Sequence, residues 1–272
     1  MTAGCIEARQ VHIEVGDGPQ RIEAVRNASF VVRPGEFVCL LGPSGCGKST
    51  LLAALAGHLG TQRGTLTLDG RPIAGPDPQR GLVFQQHTLF PWKTVLDNVA
   101  FGLKMQGRDR ASRDAEARAM LALVGLAGFE SRYPSELSGG MQQRAEIARV
   151  LLNQPRVLMM DEPFGALDAL TRARMQQQLL ALWTRLGTTV VFVTHDIDEA
   201  LFLADRLLIM SPRPGRIVED LAVALPRPRT AELTTEAAFN ALKRHCLAVL
   251  GQIEKTHDLA QVPAHDPALV RP

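Results

Sequence analysis

Tyrosine is nearly missing from this chain: Tyr133 is the one example in 272 residues, and all aromatics together make up 5%. Any stacking on a flat ligand therefore rests on few rings. Cysteine is scarce too. Cys5, Cys39, Cys46 and Cys246 form no CxxC pair and do not cluster with histidine, which argues against a zinc site or disulfide framework and suits a reducing compartment. An excess of one charge is also lacking. Lys+Arg 30 against Asp+Glu 28 leaves +2, too little for a strong nucleic-acid-binding field, although a local basic patch is compatible with it. No apolar run approaches the roughly 20 residues of a membrane-spanning helix, so a role at a membrane requires a partner. Glu7, Arg9 and His12 stand where an export signal would be unbroken and apolar.

What is present is a core. At 46% hydrophobic, the chain suffices for one large domain, or a domain with a subdomain. Glu7–Val15, Ile22–Val32 and Glu36–Leu41 read as strands, followed by a helix from about Gly47 to His58 and short strands at Thr65–Leu68 and Gly81–Phe84. From Thr94 to Val124 the pattern turns helical. Val157–Met160 and Thr189–Thr194 have the composition of strands buried in a parallel sheet, each followed by a helix, Asp168–Leu186 and Asp196–Ala204. This alternation predicts an α/β fold with a helical insertion around 90–150. Beyond Pro226 a short helix over Ala237–Leu250 is expected, and a mobile end from His257.

Three stretches carry chemistry. Gly42, Pro43, Ser44, Gly45, Cys46, Gly47, Lys48 and Ser49 match GxxxxGK[ST], with a strand before and a helix through Thr50 after, the contexts that motif requires. Glycines let consecutive N–H groups turn toward phosphate oxygens, and the helix adds its positive end. Lys48 would reach the β- and γ-phosphates and Ser49 would hold Mg²⁺. Second, Val157-Leu-Met-Met-Asp161-Glu162 is an apolar strand ending in carboxylates. Asp161 suits a role beside Mg²⁺, and Glu162 that of general base for water. Third, Leu137-Ser138-Gly139-Gly140-Met141-Gln142 opens a helix. Ser138 is a good N-cap, yet two glycines weaken a first turn and suit a close approach of phosphate. A second anion site for one nucleotide implies closure from elsewhere.

Together these motifs resemble the ATP-binding cassette ATPases over roughly Ile6 to Glu219. In that resemblance Gly42–Ser49 is similar to the Walker A motif, Val157–Asp161 to Walker B, and Leu137–Gln142 to the signature, with Met141 where the family often has Gln. Gln85 matches the glutamine that senses Mg²⁺ and couples to the membrane partner, Asp168 the D-loop, and His195 the switch histidine at the γ-phosphate. The resemblance implies a P-loop α/β fold: a mixed β-sheet core, an antiparallel β subdomain and a helical signature subdomain within residues 1–225, then an extension over 226–272. It further implies ATP and Mg²⁺ as ligands, and a head-to-tail dimer in which Ser138, Gly139 and Gly140 face the partner's nucleotide. The aromatic that stacks on adenine in the family falls here on Val15, with His12 the nearest ring.

The interval Thr50 to Leu137 has no heptads, unlike repair and chromosome-structuring relatives, and the chain has one cassette where translation-associated relatives have two. Leu89–Leu103 resembles the surface on which importer subunits receive a membrane helix. Asp77–Gln85, Pro91–Asn98, Asp161–Leu170 and Met210–Arg216 resemble the nitrate/sulfonate/taurine group, the first of these the taurine type slightly more. The implied protein sits on the cytoplasmic face of a bacterial inner membrane, with two permease subunits, a periplasmic solute-binding protein reached indirectly, and no nucleic acid. The competing readings are an importer ATPase for nitrate, bicarbonate or another small solute, and a non-transport ATPase acting on nucleic acid or ribosomes. Phe90 and Trp92 test the docking surface, because core aromatics would be buried and docking ones exposed.

Overall fold

Residues 3–261 are described by the structure, a computed structural model. It opens on a hairpin in which β1 (Ile6–Val15) pairs antiparallel with β2 (Ile22–Val32). β3 (Phe37–Leu41) then leads through the glycine loop into α1 (Lys48–Ala56). β4 (Arg63–Leu68) and β5 (Arg71–Pro72) return to the first sheet, whose order is β2-β1-β4-β5. β6 (Arg80–Val83) is followed by α2 (Val95–Val99), α3 (Phe101–Met105), α4 (Arg110–Leu123) and α5 (Gly139–Leu151). The second half alternates β7 (Val157–Asp161), α6 (Ala169–Leu186), β8 (Thr189–Thr194), α7 (Ile197–Leu203) and β9 (Arg206–Met210). It closes with β10 (Ile217–Ala222) and α8 (Ala237–Gln261).

The second sheet has the order β10-β9-β3-β8-β7-β6 and is parallel except for β10. Its strands are apolar without alternation because both faces are covered. Side chains nonetheless divide with period two. Cys39, Leu158, Phe192 and Leu207 point into the core shared with α2–α7, whereas Leu40, Met159, Val191 and Leu208 point into the one shared with α1 and the first sheet. α1 is thus enclosed between two sheets, which is why it is apolar nearly all round, with Leu51, Leu52, Ala54, Leu55 and Ala56 all buried. Parallel pairing brings the C-terminal ends of β3, β6, β7 and β8 to one edge. That edge receives the glycine loop, Gln85, Asp161 and His195.

Most predicted elements appear within a few residues of their expected bounds. β5, β9 and β10 were not expected: β5 is two residues long, and β10 carries two adjacent acids, Glu219 and Asp220, in a proline-punctuated region. The C-terminal helix is a correction. It runs to Gln261 instead of ending near Leu250, and so occupies part of the stretch expected to be mobile from His257; the remainder lies outside the described residues. Leu242, Val249, Leu250 and Ile253 continue its helical spacing against the main core, where Phe239 and Cys246 are buried.

Candidate nucleotide site

The loop after β3 turns on glycines for steric reasons. Gly47 has φ 101°, and a Cβ there would come within 2.6 Å of the Ala24 carbonyl oxygen. Ser44, Gly45 and Ser49 are exposed along the loop, while Lys48 is 4% exposed. Its Nζ donates to the Gly42 and Pro43 carbonyls, at 2.8 and 2.9 Å. The loop therefore holds its own cation in place by carbonyls that a phosphate can replace. Cys46 is buried, its thiol pushed up by burial against the opposing pull of Lys48. Its sulfur lies 3.9 Å from Lys48 Nζ.

Beside the loop, Ser49 Oγ donates to Asp161 Oδ1 at 2.9 Å. Burial raises the Asp161 carboxyl above its ordinary range, and the neighbouring Glu162 carboxylate pushes the same way, against the Ser49 hydrogen bond and Lys48. A site that resists its own negative charge favours an incoming cation. The hydroxyl and carboxylate are hard oxygen donors of the kind Mg²⁺ takes. Among the described residues, no group of three or more His, Cys, Asp or Glu could hold an ion unaided. Mg²⁺ here would therefore complete its shell with phosphate oxygens and water, its usual habit.

Glu162 follows directly, with φ 43°, a left-handed conformation costly for a residue with a side chain and often found where geometry matters to function. Its amide donates to Val193 O at 3.0 Å, and its Oε2 lies 3.0 Å from His195 Nδ1. The expected base and switch histidine are thus in contact. Gln85 sits in the bend beyond β6, exposed and without a side-chain hydrogen bond among the described residues. At the expected adenine end, Val15 pairs with the exposed Ile22, while His12 Nδ1 lies 3.3 Å from Glu23 Oε1.

The remaining expected residues assemble elsewhere. Ser138 caps α5, accepting from the Met141 amide at 3.4 Å, and Asp168 caps α6, accepting from Leu170 and Thr171 at 3.1 and 3.0 Å. Those amides, Thr171 first, hold the Asp168 carboxyl below its usual range. The two glycines of α5 have different reasons. A Cβ on Gly140 would lie 3.0 Å from Thr171 Cγ2, so packing against α6 accounts for it; Gly139 has no neighbour nearer than His87 Nε2, at 3.9 Å. Among the described residues, no hydrogen bond joins Ser138–Gly140 to Gly42–Thr50. Gly42–Thr50 and Ser138–Gly140 are therefore not joined directly within one chain.

The helical region adds an apolar face. Trp92 is 72% and Met105 62% exposed. Phe90 is half-buried between Trp92 and Phe101, its centroid 5.8 and 4.7 Å from theirs. Asn98 is buried beneath this loop and ties it to α2: its Oδ1 accepts from the Phe90 amide, and its Nδ2 donates to the carbonyls of Phe90, Lys93 and Thr94. Sequence reasoning missed Glu146, a buried acid on α5, and the residues it holds, His87 and Thr88. The available signal was an acidic residue flanked in sequence by the small and apolar Ala145, Ile147 and Ala148.

Residues 25–165 match the family model described as ABC transporter. The chain is 44% identical over 245 residues to a taurine import ATP-binding protein TauB of Roseobacter denitrificans, covering 90% of this chain and 89% of that protein. It is 53% identical over 197 residues to the TauB of Rhizobium johnstonii, covering 72% and 75%. Among solved structures, a dimeric post-hydrolysis state of the ATP-binding cassette MJ0796 bound to ADP and Pi superposes with TM-score 0.72 at 31% identity, covering 81% of this chain and all of that one.

Proposed function

Since this chain belongs to the ABC transporter ATP-binding family and is an ATP hydrolase, we propose that it is the ATPase subunit of a bacterial importer for taurine or a related alkanesulfonate. The observation that carries the solute class is the 44% identity with a taurine import ATP-binding protein along nearly the whole length of both chains. The exposed Trp92 and Met105 beside Phe90 support a membrane partner, because a face of this kind on a chain without a membrane-spanning helix among its described residues gains by being covered.

In this reading two copies bind head to tail, each placing Ser138–Gly140 over the phosphates held by the other, and each resting Phe90 and Trp92 on one of two permease subunits. The loop amides of Gly42–Thr50 cradle the phosphates, and Lys48 exchanges its two carbonyl contacts for phosphate oxygens. Ser49, Gln85 and Asp161 would hold Mg²⁺, which supplies charge neutralisation on the phosphates when bound. Glu162 accepts a proton from the attacking water, and His195, held 3.0 Å from that carboxylate, orients it and reaches the γ-phosphate. Asp168 lies at the start of α6, next to the signature end. Val15 and Ile22 offer adenine an aliphatic surface in place of a ring. The cassette over 1–225 supplies this machinery, and the extension over 226–272 packs its helix on the cassette core. No solute atom touches the chain.

The test is uptake. Reconstituted in vesicles with a permease and a solute-binding protein of a taurine importer, the chain should drive ATP-dependent taurine accumulation. Accumulation of nitrate or bicarbonate instead would move the solute, and ATPase activity stimulated by DNA or ribosomes instead of by permease would end the importer reading.

A further inference from the structure

We infer that Glu146 is a positioning residue that joins the segment after Gln85 to the signature helix, so that the nucleotide partnered by Ser138–Gly140 is sensed at the Phe90–Trp92 face. This rests on the ATPase reading above. A carboxylate 1% exposed in the interior of α5 is costly unless its oxygens are satisfied, and every contact satisfying it comes from one short segment or from its own helix. Thr88 donates to Glu146 Oε1 through both its amide and its hydroxyl, the latter at 2.9 Å, and His87 Nδ1 lies 3.4 Å from Oε2. One turn on, Arg149 grips the same threonine, donating to Thr88 O at 2.9 Å and Oγ1 at 2.5 Å, 3.8 Å from Glu146. The guanidinium also lies over the Phe90 ring, 5.6 Å from its centroid.

The segment so clamped lies between two functional ends. His87, with one ring nitrogen facing Glu146, presents Nε2 as the nearest atom to the open side of Gly139. Two residues beyond Thr88 begins the face of Phe90 and Trp92. A displacement of the N-terminus of α5 on closure over a partner's phosphates is therefore passed through Glu146 and Arg149 to Thr88 and the aromatic loop. Hydrophobic packing alone would let that loop slide; a buried acid with three donors fixes its register.

Trp92 is a natural reporter, because the other tryptophan, Trp183, packs edge-on to Phe37 and can be replaced by Phe. In the W183F chain, Mg-ATP should change Trp92 fluorescence. Glu146→Ala should abolish that change and lower turnover about tenfold or more, the scale of a small misplacement, with ATP affinity at the Lys48 loop unaltered. Glu146→Gln, which keeps an acceptor for Thr88, should restore most of both, and His87→Ala should weaken the Trp92 response. The inference is overturned if Glu146→Ala keeps the fluorescence response, if it alters only ATP affinity or melting temperature, or if Glu146→Gln is no better than Ala. Should the alanine variant fail to fold, an undiminished Trp92 response in His87→Ala overturns it equally. Turnover of the W183F chain itself reads the ATPase assignment separately.

Discussion

The two ends proposed to meet phosphate, Gly42–Thr50 and Ser138–Gly140, are built on opposite plans. Gly42–Thr50 is anchored: it leads into a helix enclosed between two sheets, carries a buried lysine held on its own carbonyls, and has the Asp161 carboxylate of β7 within hydrogen-bond reach. Ser138–Gly140 is open. It has a helix start, a serine cap and a bare glycine, with no cation hydrogen-bonded to those residues and no carboxylate placed to act on water. In the proposed reading the first end binds and positions a nucleotide, and the second completes one that another copy holds. That asymmetry is what a site divided between two copies requires, and it agrees with a likeness to a cassette described as dimeric with ADP and Pi.

Substitutions should separate the two ends. The largest effect is expected for Lys48→Ala, which removes the cation from the anchored end: ATP binding and turnover should both fall by about 10²-fold or more, checked by nucleotide-binding fluorescence and phosphate release. Glu162→Gln comes next. It should leave ATP binding near the parent value and reduce turnover by about 10²- to 10⁴-fold, the usual worth of a general base; parent-rate hydrolysis would remove Glu162 from that role. Gly139→Asp sharpens the contrast. The open side of Gly139 accommodates a Cβ and an acid suits a helix start, so the fold should persist and a single chain should bind ATP normally, while turnover falls about tenfold or more as the carboxylate meets a partner's phosphates. The smallest effect concerns Cys46. Its burial and raised thiol should make alkylation by maleimide at neutral pH at least about tenfold slower than for a free thiol, with ATP binding lost only as fast as that residue is modified. Loss of binding before Cys46 reacts would detach the two.

The anchored end was far more legible in the sequence than the open one. A phosphate loop announces itself through neighbours in sequence: Leu41 before it, Leu51 and Leu52 after it, and glycines spaced by backbone need. Asp161 and Glu162 ended a recognisably buried strand for the same local reason. At the open end, Ser138 could be read as a cap, but Gly140 owes its missing side chain to Thr171, and Glu146 owes its burial to Thr88, contacts invisible at those separations. β10 escaped because its acids, Glu219 and Asp220, are adjacent, so this half-exposed antiparallel edge strand shows no period-two alternation in sequence. The length of α8 escaped because its last turns owe their stability to packing of Val249 and Ile253 more than to composition. The motif assigns Lys48 to phosphates, whereas its partners in the structure, the loop's own carbonyls, appear only in three dimensions.

The division of the site between copies is tested most directly by the mass of the chain in saturating Mg-ATP, measured by light scattering on Glu162→Gln and on Glu162→Gln combined with Gly139→Asp. The single variant should run at twice the 29.6 kDa of one chain, and the double variant, with the same ATP occupancy, at the mass of one. A double variant that still pairs, or a single variant that stays alone with its site filled, would contradict the account.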